Sequence, residues 1–173
     1  MHITRIKVEN VRGFLGGESA TDLQLSGTPG WYVFAGRNGA GKSTLLRAVA
    51  LALVGPDHAR RLMQSFAGWI RNGASSALAS VEVATENNDE VVGAGRPKKS
   101  FSATLTWKGV GGAPEPEMAS PHPRGRGPWR GPWNENPRGW MVAGYGPFRR
   151  LTGHGTEAQR AMSGGVLDDR AIS

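Results

Sequence analysis

Hydrophobic and polar positions along the chain fall into a few sharply different patterns. Residues 2–14, HITRIKVENVRGF, alternate β-branched and charged positions and predict a strand ending near Gly13. Asp22–Leu25 alternates on a shorter scale and predicts a partner strand, and the glycines at 27 and 30 mark a turn. Trp31–Ala35 is a continuous apolar run, the pattern of a strand buried on both faces. STLLRAVALALV, residues 43–54, predicts a helix packed nearly all round, since only Arg47 interrupts its apolar surface. Gly55-Pro56 is expected to stop that helix, with a second amphipathic helix or a loop over 57–72.

Period two then returns twice. Ala79, Val81 and Val83 share one face of a predicted strand. Phe101, Ala103, Leu105 and Trp107 share a face of another, opposite Ser102, Thr104, Thr106 and Lys108. NNDEVVGAGRPKK between them reads as an exposed hairpin connection. Residues 109–139 lose all periodicity, are rich in Gly, Pro and Arg, and repeat GPW at 127–129 and 131–133. They predict a long, mobile surface loop. Trp140–Ala143 predicts a last strand, and the tail beyond Leu151 holds no further one.

Length and composition narrow the class. The 173 residues suffice for one domain with a core and are too few for two ordinary ones. No cysteine is present, which excludes disulfides and thiolate metal sites, and His2, His58, His122 and His154 show no ligand spacing. No apolar run reaches the roughly 18 residues of a membrane span, and MHITRIKVEN lacks the apolar block of a signal peptide. A cytoplasmic location is the default expectation, with no membrane partner. Net charge is +7, and residues 91–150 carry the whole excess, with ten Lys/Arg against three Asp/Glu. Such a segment reads either as a contact for a phosphate-rich partner or as a solvated basic loop.

The chemistry lies at the junction of the buried run and the helix. Gly36-Arg37-Asn38-Gly39-Ala40-Gly41-Lys42-Ser43 matches G-x-x-x-x-G-K-[ST] without a mismatch. Its glycines let the backbone bend and turn N–H groups toward phosphate oxygens. Lys42 adds a charge for the β- and γ-phosphates, Ser43 a hydroxyl for Mg²⁺, and Thr44 belongs to the same helix start. A bound nucleoside triphosphate with Mg²⁺ is the expectation.

FAGRNGAGKSTLLRA resembles the first nucleotide motif of ABC-type ATPases of the SMC/RecF class, within the AAA-family P-loop ATPases. IKVENVRGF resembles that class's first strand and basic-aromatic turn. WIRNGASSALASVEV, residues 69–83, resembles its arginine-glycine segment, and MVAGYGPFRRL resembles a segment of SMC-like ATPases from bacterial DNA-repair and phage-defence systems. The resemblance spans most of residues 1–151. It implies an α/β fold: a P-loop NTPase half-domain, the N-terminal lobe, with an antiparallel β-subdomain and the long Gly/Pro/Arg-rich loop, in one partial ATPase domain over 1–173. It implies ATP as the nucleotide, Arg12 near it, and a possible homodimer closed head-to-tail around ATP.

Several positions keep two readings. Arg12 is a nucleotide contact or an ordinary turn arginine; Arg71 reads as a surface cap or ion pair; Tyr145 approaches nucleotide or packs beside Trp140. Arg124, Arg126, Arg130, Arg149 and Arg150 are candidate nucleic-acid contacts or solvated charges. No apolar strand ending in Asp-Glu is found: Asp168-Asp169 follows only Val166-Leu167, and Met162-Ser163-Gly164-Gly165 resembles the L-S-G-G signature by coincidence. The catalytic acids and signature are therefore expected on a C-terminal lobe or a second subunit. Binding without turnover, in a regulatory module, is the alternative, as is the ATPase part of an overcoming-lysogenization-type nuclease.

Overall fold

The structure, a computed structural model, describes residues 1–63, 65–85, 100–111, 113, 115–124, 127–134 and 140–143. Among the described residues, five antiparallel strands form one sheet: β1 (His2–Glu9), β2 (Thr21–Gln24), β3 (Ser76–Ala84), β4 (Ser100–Lys108) and β5 (Glu117–Ala119), in the order β2-β1-β3-β4-β5. One long helix, α1 (Lys42–Leu62), lies against the sheet, packing mainly on β3 and β4. All of these belong to a compact unit, Met1–Val142; of a second unit, Ala143–Ser173, only Ala143 is among the described residues. The α/β class with an antiparallel sheet is as the sequence implied.

Registry follows the period-two pattern. Ile6 and Val8 of β1 stand opposite Val81 and Ala79 of β3, which stand opposite Ala103 and Leu105 of β4. These apolar side chains all face α1, where Leu45, Ala48, Val49 and Ala52 complete the core. The other face carries Arg5, Lys7, Ser80, Glu82 and Thr104, including a bidentate pairing of Arg5 with Asp22 at 2.8 and 2.6 Å. An aromatic group of Phe66, Trp69 and Trp107, with ring centroids 5.6–5.9 Å apart, seals one end.

Six expectations change. The first strand ends at Glu9, because Asn10 and Arg12 take positive φ (52° and 51°) and turn the chain; only Val11 bridges onward, to Ile70. Trp31–Ala35 is not a strand: Trp31 is 100% and Val33 88% exposed, while Tyr32 and Phe34 are partly covered. No strand hydrogen-bonds to this segment among the described residues, and an unpaired extended segment cannot bury both faces. Nor is α1 packed all round, since Leu46 is 53% exposed beside Arg47.

Gly55-Pro56 does not end the helix. It breaks it at Gly55 (φ 82°, ψ 170°), and helical turns resume from Pro56 to Leu62. Finally, the Gly/Pro/Arg-rich segment is not simply a mobile loop. Its described part contains β5, a short 3-10 turn (Gly127–Arg130), and a buried Pro128 and Trp133. We refer to the described residues 115–124 and 127–134 as the strap. Trp140–Ala143 forms no strand; Trp140 packs edge-on against Phe101, 5.6 Å between centroids. The connection expected at 87–99 lies outside the described residues.

Candidate nucleotide site

The loop at Gly36–Lys42 leads directly into α1. Gly39 and Gly41 adopt φ of 83° and 86°, left-handed conformations that a side chain would strain, and Gly41 serves as the helix N-cap with no capping side chain. Leu45 N–H donates to Gly41 O at 2.8 Å, opening the helix, and Ala40 N–H donates to Arg37 O at 3.2 Å, closing the turn before it. The first-turn N–H groups of a helix have no intrahelical acceptor, so this end offers donors and a positive dipole to an anion. Lys42 Nζ donates to Gly36 O (2.7 Å) and Arg37 O (2.8 Å), which places the ammonium across the loop. Gly36, Arg37, Asn38, Gly39, Ala40 and Ser43 are exposed, with Thr44 half-buried.

Phe14 supports this loop, a role the sequence did not disclose. A β-carbon on Gly41 would come within 3.0 Å of the Phe14 ring. Phe14 is held by a turn in which its N–H donates to Val11 O at 2.9 Å, and the same turn carries Arg12. Arg12 N–H donates to Trp69 O (2.8 Å) and Arg71 N–H to Asn10 O (2.7 Å), locking this turn to residues 66–72. The Arg12 guanidinium lies over the Trp69 ring, 5.3 Å from its centroid. Arg12 and Arg71, with Gly68, Ile70 and Asn72, line an open cavity of about 360 Å³. Arg71 also donates to Gly13 O at 3.3 Å, so it is built into this turn rather than left as a solvated side chain. A positive φ at Arg12 costs about 1–2 kcal/mol, and such strain concentrates where function needs a fixed side chain.

The basic candidates lie elsewhere. Arg124 pairs with Asp57 of α1, fifteen residues after Lys42 and beyond the helix break at Gly55. Arg130 ends the strap's 3-10 turn and is exposed. Arg126, Tyr145, Arg149 and Arg150 lie outside the described residues. Among the described residues, no cluster of three or more His, Asp or Glu side chains is placed to hold a metal, and no helix is long and apolar enough to cross a membrane.

No curated protein matches the sequence. Among solved structures, a chain from work on the ATP-driven dimerization and DNA-stimulated activation of SMC ATPases is 16% identical, with a TM-score of 0.46. The similarity covers 62% of this chain and 63% of that one. The model of a family described as an AAA domain matches residues 5–112, which include the loop, α1, β2, β3, β4 and β1 from Arg5 onward. Sharing that family's pattern over more than half its length, this chain belongs to the AAA domain family, whose membership implies nucleotide binding.

Proposed function

We propose that the chain is the ATP-binding N-terminal lobe of an SMC/RecF-like ATPase that acts on DNA, in repair or anti-phage defence. One observation carries the reading: the glycine loop at 36–41 is curled by two left-handed glycines and delivers Lys42 and Ser43 to the open N-terminus of α1. The residues fit a triphosphate. Gly41 has no room for a side chain beside Phe14, and the backbone there is free to face phosphate oxygens.

In this reading the N–H groups of Gly39 and of Gly41–Thr44 and the helix dipole bind the phosphates. Lys42 exchanges its two carbonyl partners for phosphate oxygens, and the exposed Ser43 hydroxyl ligates Mg²⁺. When bound, Mg²⁺ neutralises charge on the β- and γ-phosphates. Arg12, fixed on Trp69, lies one turn from Phe14 and adds a cation to the same side. The acidic groups that activate water come from a C-terminal lobe or partner chain. The exposed Trp31 and Val33, which precede the loop, support this, because an apolar flank of that kind suits burial against added strands.

Titration of the chain with a fluorescent ATP analogue and Mg²⁺ tests the proposal. Lys42→Ala is expected to weaken binding at least about a hundredfold, given that charge-assisted phosphate contacts are worth several kcal/mol, with unchanged circular dichroism. Analogue binding that survives Lys42→Ala at full strength rules the loop out as the site.

A further inference from the structure

We infer that the strap and the C-terminal half of α1 together form a second phosphate-binding surface, separate from the glycine loop, whose ligand is a nucleic-acid backbone. Its centre is Arg124. The guanidinium lies over the Trp129 ring, 4.9 Å from its centroid, with 78% of the side chain exposed. Among the described residues its polar contact is a long one, 3.4 Å to Asp57 Oδ2. A stacked guanidinium has already lost much of its rotational freedom, so its remaining N–H edges engage a phosphate at reduced entropic cost.

Arg60 of α1 shares the same carboxylate, 3.4 Å from Asp57 Oδ1, and its Nη2 donates to Met118 O at 2.6 Å. Two arginines thus meet over one acid, leaving a net positive charge at a fixed place. Arg61 and Arg130, both exposed, extend the basic character along the same two elements.

The platform beneath is rigid. Trp129 Nε1–H donates to His122 O (3.0 Å), and the Trp129 ring meets Trp133 edge-on at 5.4 Å. Trp133 in turn is anchored in the helix break through Ala52 O and Leu53 O. A local role for these arginines, complementing the C-terminal carbonyls of α1, accounts for Arg60 and Arg61 but not for an outward-facing, ring-stacked Arg124. The strap, which carries Arg124 and Trp129, lies beyond residue 112, where the family match stops, whereas Asp57, Arg60 and Arg61 of α1 lie within it. Planar guanidinium forks suit phosphates better than the single charges of an acidic peptide. The choice of nucleic acid as ligand rests on the DNA reading proposed above; the surface itself rests on the strap geometry.

Fluorescence anisotropy with a labelled mixed-sequence duplex of about 20 base pairs, from about 50 to 200 mM salt, tests the inference. Arg124→Gln alone should weaken binding several-fold, and Arg60→Gln with Arg124→Gln about tenfold, lowering the log–log salt slope by about two. Arg124→Lys, which keeps the charge but loses the flat fork, should fall between wild type and Arg124→Gln. Lys42→Ala should leave duplex affinity intact while removing ATP-analogue binding. Duplex binding that ignores all the arginine variants overturns the surface and leaves the DNA reading standing. A wild-type chain that binds the ATP analogue but no duplex overturns both. Equal, equally variant-sensitive binding to heparin or to phosphatidylserine vesicles overturns nucleic acid as the ligand.

Discussion

Gly55, Pro56 and Trp133 solve one problem between them. Pro56 has no N–H, so Ala52 O loses its helical donor, and the turn at Gly55 carries the backbone out of register with Leu53 O as well. The Trp133 indole N–H donates to both carbonyls, at 3.1 and 3.2 Å. Gly55 is required twice: its φ and ψ lie where only glycine is comfortable, and a β-carbon would sit 2.7 Å from the Trp133 ring. Gly55→Ala should therefore cost at least about 2 kcal/mol, from backbone strain and displacement of the ring, read as a lower urea midpoint. Trp133→Phe keeps most of the packing but orphans two buried carbonyls, and should cost about 1–3 kcal/mol by the same measurement.

At the scale of elements, the long strands show what periodicity specifies. Leu105 is fully buried on the α1 side of β4, and Thr106 beside it is half-buried on the other. Leu105→Ala should destabilise by about 2–5 kcal/mol, and Thr106→Ala by under about 1 kcal/mol, in paired denaturant titrations. Trp31–Ala35 shows the opposite case. Its apolar run reads as a buried strand, yet Trp31 is wholly exposed. Trp31→Ser should change the stability of this chain by less than about 0.5 kcal/mol, whereas a core tryptophan would lose about 3–5 kcal/mol. Apolarity recorded in a sequence states that burial is wanted, not which surface provides it.

Across the whole molecule, the strap is fastened at a third point besides Trp133 and Arg124. Glu115 accepts from the Ser65 hydroxyl and from Phe66 N–H at 2.7 Å, joining the strap to the segment after α1. The Ser65 hydrogen bond, then the Phe66 N–H, holds the Glu115 carboxyl below its ordinary value of 4.5. Asp22 is likewise held low, first by its hydrogen bond from Arg5. A carboxylate whose folded pKa is depressed stabilises the fold above its unfolded pKa, and that contribution disappears as pH falls through the folded value. Thermal stability should thus drop as pH is lowered below the ordinary carboxylate range. Glu115→Gln should flatten part of that drop while leaving nucleotide binding at neutral pH unchanged; an unaltered pH profile in the variant would remove Glu115 as its source.

What the residues determine by themselves here is local. The glycine loop at 36–41 was legible because its glycines, with Lys42 and Ser43, lie within one turn, and β3 and β4 because side-chain alternation needs no knowledge of the partner strand. Arg12 stood out as a turn arginine, but Phe14 under Gly41 and the Trp69 platform did not, since each depends on segments brought together from separate parts of the chain. The strap was least legible of all. Its Gly and Pro residues announce only that regular structure is barred, whereas its place is set by a tryptophan reaching a helix break 81 residues earlier. Only the tertiary structure decides that, because the unsatisfied carbonyls and the donor that meets them carry no common signal until the chain has folded.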